Sequence, residues 1–334
     1  TQKTSALSAK FTYQGLESVT LVGIISGADS DLGYGYDEDW AYGQYEWRSD
    51  EPVYQPDPCI TPTGCLVDFD GYSSTDHYFR EKSAYTAELR VLSNQGEEIF
   101  NGSTAWVAGL YFKQDDEDLI RQYTYNDSDF GSENSSESMA IFGQLDTKLS
   151  DKLSLISGLR LEQRDADYIN SDLFSDSPRD TMLGGKLVLS YQATADSFLY
   201  GSINRGYKAG GSNTDGSLSN NLRSFDPEYL MNYEIGYKVS LLDNDAYVRA
   251  ALFYMDRTEM QVKSSQTIVR PDGSSEFITY LGNAATGSNQ GIEIESAWQL
   301  NEFVNIYGSL GLLDSEFNDF TNGDTSVLNQ GPRR

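Results

Sequence analysis

The residues best equipped for chemistry lie together near the amino-terminal end. Between positions 28 and 79 the chain carries twelve Asp or Glu, among them Asp29, Asp31, Asp37, Glu38 and Asp39, against the single basic residue Arg48. Interleaved with them stand Tyr34, Tyr36, Trp40, Tyr42, Tyr45 and Trp47. Aromatic faces stack on planar or apolar groups, and carboxylates hold polar groups or cations, so the combination suits capture of a ligand by a long loop. The bland reading of the same residues is a solvated loop whose charge resists aggregation. Carboxylate oxygens also ligate calcium, and Asp29, Asp31 and Asp37, or Asp115, Asp116, Glu117 and Asp118, offer them. Neither set has the spacing of a full calcium loop, and no metal site is expected.

Other reactive residues are few. Cys59 and Cys65 are the only cysteines and frame the segment CITPTGC. That spacing points to a small loop disulfide made in an oxidising compartment. A reduced metal pair is the weaker alternative, because His77 is the only histidine. The same fact leaves no persuasive Ser-His-Asp set, and neither G-x-S-x-G nor H-E-x-x-H occurs. Where acids are this abundant, any glycosidase-like pair of carboxylates is uninformative. We expect a protein that is not an enzyme and carries no cofactor. A net charge of -27 also repels nucleic acid, which is excluded as a partner.

The elements that position these residues read as strands. There are 23 Tyr and 30 Gly in 334 residues, a composition of strands and turns. No run of about eighteen apolar residues exists, so a transmembrane helix is excluded, but barrel strands of about 9–11 half-polar residues are not. In NYEIGYKVSL (232–241), Tyr233, Ile235, Tyr237, Val239 and Leu241 alternate with Asn232, Glu234, Gly236, Lys238 and Ser240. A strand of this pattern has one apolar and one polar face. The same alternation puts Leu153, Leu155, Leu159 and Leu161 opposite Ser154, Arg160 and Glu162, directly after the tight LSDK turn. Similar hairpins surround QATADS, LDND and the NE at 301–302.

Longer polar connections are expected at roughly 28–79, 114–136, 168–180, 210–226 and 263–286, so that short and long connections alternate strictly along about twelve antiparallel strands. All 8 prolines fall outside the strand interiors drawn this way, as they must where each would remove a ladder hydrogen bond. A soluble sandwich mixes loop lengths at both ends, whereas an outer-membrane barrel keeps short turns on one side and long loops on the other. The fold class is therefore an all-β, antiparallel transmembrane β-barrel. Its apolar faces meet lipid, with Tyr233 suited to an interfacial girdle, and its polar faces line a lumen.

Three segments carry a family resemblance. YGSINRGYKAGGSN (200–213) resembles the strand with which TonB-dependent outer-membrane receptors rise through Gly-Tyr/Phe-Lys-x-Gly-Gly towards an extracellular loop. FDPEYLMNYEIGYK (225–238) is similar to that family's Pro-Glu and Asn-Tyr-Glu-x-Gly-x-Lys strand, and YLGNAATGSNQGIEIE (280–295) resembles its Asn-x-Ala and Gly-x-Glu-x-Glu element. The likeness covers 137–334 closely and the first third through strand rhythm.

The resemblance implies 22-stranded barrels plugged by an amino-terminal globular domain. It implies import of scarce nutrients, mostly ferric siderophores but also haem, cobalamin or glycans, driven by the TonB–ExbB–ExbD complex. The sequence departs from that plan in showing no plug domain, no TonB-contact segment and no final strand with an aromatic end. Residues 1–334 are thus expected to be an internal fragment of the barrel domain, about twelve of the 22 strands, in the outer membrane of a Gram-negative bacterium. Glu234, Lys238, Glu293 and Glu295 alternate onto the lumen side, where holding the plug is their expected role. Outer-membrane lipid and a siderophore or related chelate are the other expected partners. A passive porin-type channel and an extracellular all-β binding or adhesion module are the competing functions.

Overall fold

The protein's structure, a computed structural model, describes residues 1–37, 75–123, 128–213, 218, 222–269 and 275–320. Nearly all of it is strand. The amino-terminal half holds β1 (Gln2–Tyr13), β2 (Val19–Asp37), β3 (Thr75–Ser93), a one-turn α1 (Ile99–Gly102), β4 (Thr104–Tyr123), β5 (Phe130–Lys148) and β6 (Leu153–Asn170). After the two-residue β7 (Ser175–Asp176) come β8 (Arg179–Gln192), β9 (Ser197–Lys208), and the short β10 (Gly211–Ser212) and β11 (Ser224–Phe225). The chain continues through β12 (Glu228–Leu241), β13 (Ala246–Val269), β14 (Ser275–Asn301) and β15 (Val304–Phe320).

Twelve strands form one antiparallel path in chain order, β1-β2-β3-β4-β5-β6-β8-β9-β12-β13-β14-β15, with β7 attached to β6 and β10 paired to β11 outside it. Consecutive pairing of this kind needs only hairpins. The tightest closes at 302–303, and four-residue turns close at 149–152, 193–196 and 242–245, as the sequence predicts; in the last of these Leu242, Asp243 and Asn244 all take positive φ, between 55° and 76°. Asp and Asn accept that left-handed geometry at low cost, which is why an LDND turn works.

Register fixes what each face carries. Tyr233, Ile235 and Tyr237 of β12 stand opposite Tyr254, Leu252 and Ala250 of β13, and the row continues through Ile292 and Ile294 to Leu312 and Leu310. Ile235 is 63% exposed and Leu312 58%. On the other face Glu234 pairs with Phe253, Lys238 with Arg249, and Arg249 with Glu295. Among the described residues none covers the greasy face. A continuous apolar surface of this kind belongs against lipid, and the charged face belongs towards a lumen.

The strands run further than hydrophobic alternation predicts. Asp29, Asp31, Tyr34, Tyr36 and Asp37 lie in β2, Asp76 and His77 in β3, and most of 114–136 in β4 and β5. Positions 263–269 and 275–286 belong to β13 and β14. Above the apolar band both faces are polar, so the period-2 signal vanishes while the backbone ladder continues undiminished. The strict alternation of short and long connections also needs correction, since ten residues separate β3 from β4 at the short-turn end, whereas six separate β4 from β5 and five separate β13 from β14. The asymmetry resides in tall strands as much as in loops.

Candidate functional site

The inward face of the tall strand ends holds a dense aromatic and ionic cluster. Residues 76 to 82 of β3 alternate, so Asp76, Tyr78, Arg80 and Lys82 project together. The Tyr78 ring stacks on Tyr34 of β2, centroids 5.0 Å apart and planes 6° from parallel. Tyr36 meets both rings edge-on at 5.9 and 6.4 Å. From β4, Arg121 lies over Tyr78 and Tyr123, 5.3 and 4.9 Å from their centroids, and donates two hydrogen bonds of 2.8 and 2.7 Å to Asp76. The Tyr78 hydroxyl donates a further bond of 2.9 Å to the same carboxylate.

Asp76 stands beyond the apolar band. Burial alone would raise its carboxyl, but the Arg121 guanidinium and the Tyr78 hydroxyl outweigh burial and hold it below the usual carboxylate range. Next to this cluster, Glu117 ties together Arg80 and Lys82, the latter at 2.5 Å. A recess of about 350 Å³ opens between Arg80, Glu117, Asn134, Arg164, Tyr168 and Phe225. Its far wall is held in place where Gly210 N–H donates to Asp180 at 2.9 Å and Arg164 reaches the Gly210 carbonyl at 3.3 Å. The arrangement offers flat aromatic faces, guanidinium planes and carboxylates to a solute entering from the loop side.

Of the residues singled out by sequence, Tyr34 and Tyr36 join this cluster. Trp40, Tyr42, Tyr45, Trp47, Cys59 and Cys65 lie outside the described residues. The calcium candidates do not converge: alternation splits Asp115 and Glu117 from Asp116 and Asp118, and Asp29 and Asp31 face outward beside Ser83 and Glu81. Among the described residues no group of three metal-ligating side chains exists. Glu234, Lys238, Glu293 and Glu295 stand on the inward face nearer the short turns. There Tyr200 donates a 2.5 Å bond to Glu234, Lys238 sits 5.3 Å from the Tyr200 centroid, and Glu295 lies 3.8 Å from Arg249. Sequence reasoning missed Tyr78, Arg80, Arg121 and Tyr123. For Tyr78 and Arg80 the signal is the charge alternation in DHYFREK, which offers no apolar period to mark a strand.

The sequence model of the family described as TonB dependent receptor-like, beta-barrel, matches residues 3–334. The chain belongs to this family.

TonB-dependent receptors are transport receptors of the Gram-negative outer membrane, not enzymes. The pesticin receptor of Yersinia enterocolitica is 28% identical over 203 residues, which is 58% of this chain and 28% of the relative. Among solved structures, the ferric yersiniabactin uptake receptor from Yersinia pestis superposes with a TM-score of 0.67 at 20% identity, covering 96% of this chain and 43% of that one. The siderophore receptor PiuA from Acinetobacter baumannii gives a TM-score of 0.68 at 14% identity, covering 99% and 49%. At those identities the superpositions speak for the fold. This TonB-dependent receptor chain spans less than half the length of each of these three relatives.

Proposed function

We propose that residues 1–334 are a section of barrel wall and extracellular mouth from a receptor that imports a ferric siderophore or related metal chelate. The observation carrying this reading is the mouth cluster of Tyr34, Tyr78 and Arg121, where stacked rings and an oriented guanidinium face inward at the loop end. Planar chelating groups stack on such rings, and anionic oxygens pair with Arg80 and Arg121. Uptake through a plugged barrel needs an energy source, for which the TonB–ExbB–ExbD complex acting on a plug domain is the expected partner. Glu234, Lys238, Glu293 and Glu295 then hold that plug through hydrogen bonds and ion pairs.

The test uses the full-length receptor in a host stripped of its own siderophore receptors. Radio-iron uptake from a panel of ferric siderophores should require an intact proton gradient, and Tyr78→Ala should lower uptake at subsaturating ligand. Uptake that persists after the gradient is collapsed would convert the reading to a passive porin-type channel. The exposed apolar face already disfavours a free extracellular adhesion module, which would stay dispersed without detergent.

A further inference from the structure

We propose that Asn213 is a positioning residue: its buried side chain fixes the connection between β9 and β12 as a permanent wall of the mouth recess, set before any ligand arrives. Asn213 follows β10 and is 8% exposed. Its Oδ1 accepts the Leu281 N–H at 2.8 Å, and its Nδ2 donates to the Leu281 carbonyl at 2.7 Å. The described part of β15 ends opposite Ala285, so among the described residues Leu281 has a strand partner in β13 alone. One side-chain amide thus gives β14 the donor and acceptor that a further strand would supply. Nδ2 also donates to the Leu222 carbonyl at 2.7 Å, and the Asn213 N–H reaches the Arg223 carbonyl at 2.7 Å. The two legs of the connection and β14 are joined at this one residue.

Both flanks of the connection are tied. Gln261 of β13 donates to the carbonyls of Ala209 at 2.7 Å and Asp226 at 3.1 Å, so a single amide grips the incoming and outgoing legs. Asn283 accepts the Asp226 N–H at 2.6 Å and returns a bond of 2.8 Å to the Asp226 carbonyl. From the other side Asp176 accepts the hydroxyls of Ser212 at 2.6 Å and Ser224 at 2.8 Å. The legs also pack on each other, since a β-carbon on Gly210 would collide with the Phe225 carbonyl. Leu218, Ile278 and Tyr280, 1%, 2% and 4% exposed, form a small apolar core with Leu222 packed against it. The segments 200–213, 225–238 and 280–295 that carry the family resemblance therefore converge here through Asn213, Asp226, Leu281 and Asn283. Gly211, Ser212 and Phe225 line the recess beside Arg80 and Arg164. A wall with its own core and paired polar groups on both flanks opens only by leaving buried groups unpaired. A ligand then has to fit a preformed cavity, a consequence that rests on the proposed import.

Hydrogen exchange on the detergent-purified full-length receptor tests this without any ligand, so its failure is distinct from failure of the proposed import. The amides of Gly210, Asn213, Asp226 and Leu281 should exchange as slowly as those of 232–241. Asn213→Ala strips Leu281 of both partners and should speed the four amides about tenfold or more, with 232–241 unchanged. Each variant is first checked for a compact, heat-modifiable barrel band; if Asn213→Ala fails to assemble, Gln261→Met, which frees both legs, takes its place. In uptake, Asn213→Ala should draw together the half-saturation concentrations for ferric citrate and a ferric tris-catecholate while the maximal rates hold. Fast exchange of the four amides in the unliganded parent, wild-type exchange in Asn213→Ala, equal acceleration across 232–241, or an unchanged ratio between the two chelates would each overturn the proposal.

Discussion

The lower and upper parts of these strands share one ladder and obey different rules. Below, each strand presents Leu, Ile and Tyr outward and charge inward, as in the row from Ile235 through Leu252 to Ile292. Above, the same registers continue with Asp29, Ser83 and Asp116 outward and Tyr34, Tyr78 and Arg121 inward. The backbone hydrogen bonds are alike, so the change lies wholly in what surrounds the strands. Lipid demands an apolar face, and water above it permits anything. The comparison teaches that side-chain alternation marks membrane depth, whereas strand extent is set by the ladder.

The largest effect should come from violating the lower rule. Ile235→Lys puts a charge on the lipid side of β12 and should cost about 2–4 kcal/mol near the midplane, read as loss of the heat-modifiable band in the full-length receptor. Ser83→Lys, on the same outward face of β3 but between Asp29 and Asp116, should assemble like the parent. Equal failure of both substitutions would erase the boundary between the two parts.

A smaller effect should follow from loosening the upper cluster. Asp76→Asn removes charge-assisted bonds to Arg121, worth about 1.5–3 kcal/mol locally, so hydrogen exchange at 76–80 should speed up while the lower strand stays protected. Acid should mimic it. A carboxyl held below its ordinary value of 3.8 contributes stability that is complete above that pH and is lost as pH falls through its lower folded value. The mouth should therefore loosen only below about pH 4, and the Asp76→Asn variant should show no such acid step. An acid step of equal size in both proteins would assign the transition to other groups.

The boundary also explains what could be read from sequence. The lower part was fully legible, since NYEIGYKVSL and the LSDK and LDND turns announce a lipid-facing hairpin through alternation and turn chemistry. The upper part was not, because Asp29 and Asp31 on one side and Ser30 and Leu32 on the other give no apolar period to detect. Tyr34 and Tyr36 are candidates for a capture surface from residue type alone. Their partners Tyr78 and Arg121 come from β3 and β4, and a distant register is invisible without the pairing.

The finest test falls where the upper ladder of β13 is interrupted. Between Arg257 and Met260 its pairing with β14 shifts register, and Glu259 there takes φ of 53°. A non-glycine residue in the left-handed region costs about 1–2 kcal/mol. Glycine removes that strain but loses roughly 0.5–1 kcal/mol of chain entropy on folding. Glu259→Gly should therefore stabilise the tall hairpin slightly, by about 0.5 kcal/mol. The gain should appear only as slower exchange above the bulge, because Asn283 donates to the backbone carbonyl of Glu259 at 2.8 Å and that contact survives the substitution. If exchange quickens instead, the left-handed residue is held by side-chain contacts of Glu259, and the interruption is part of how the upper strands are secured.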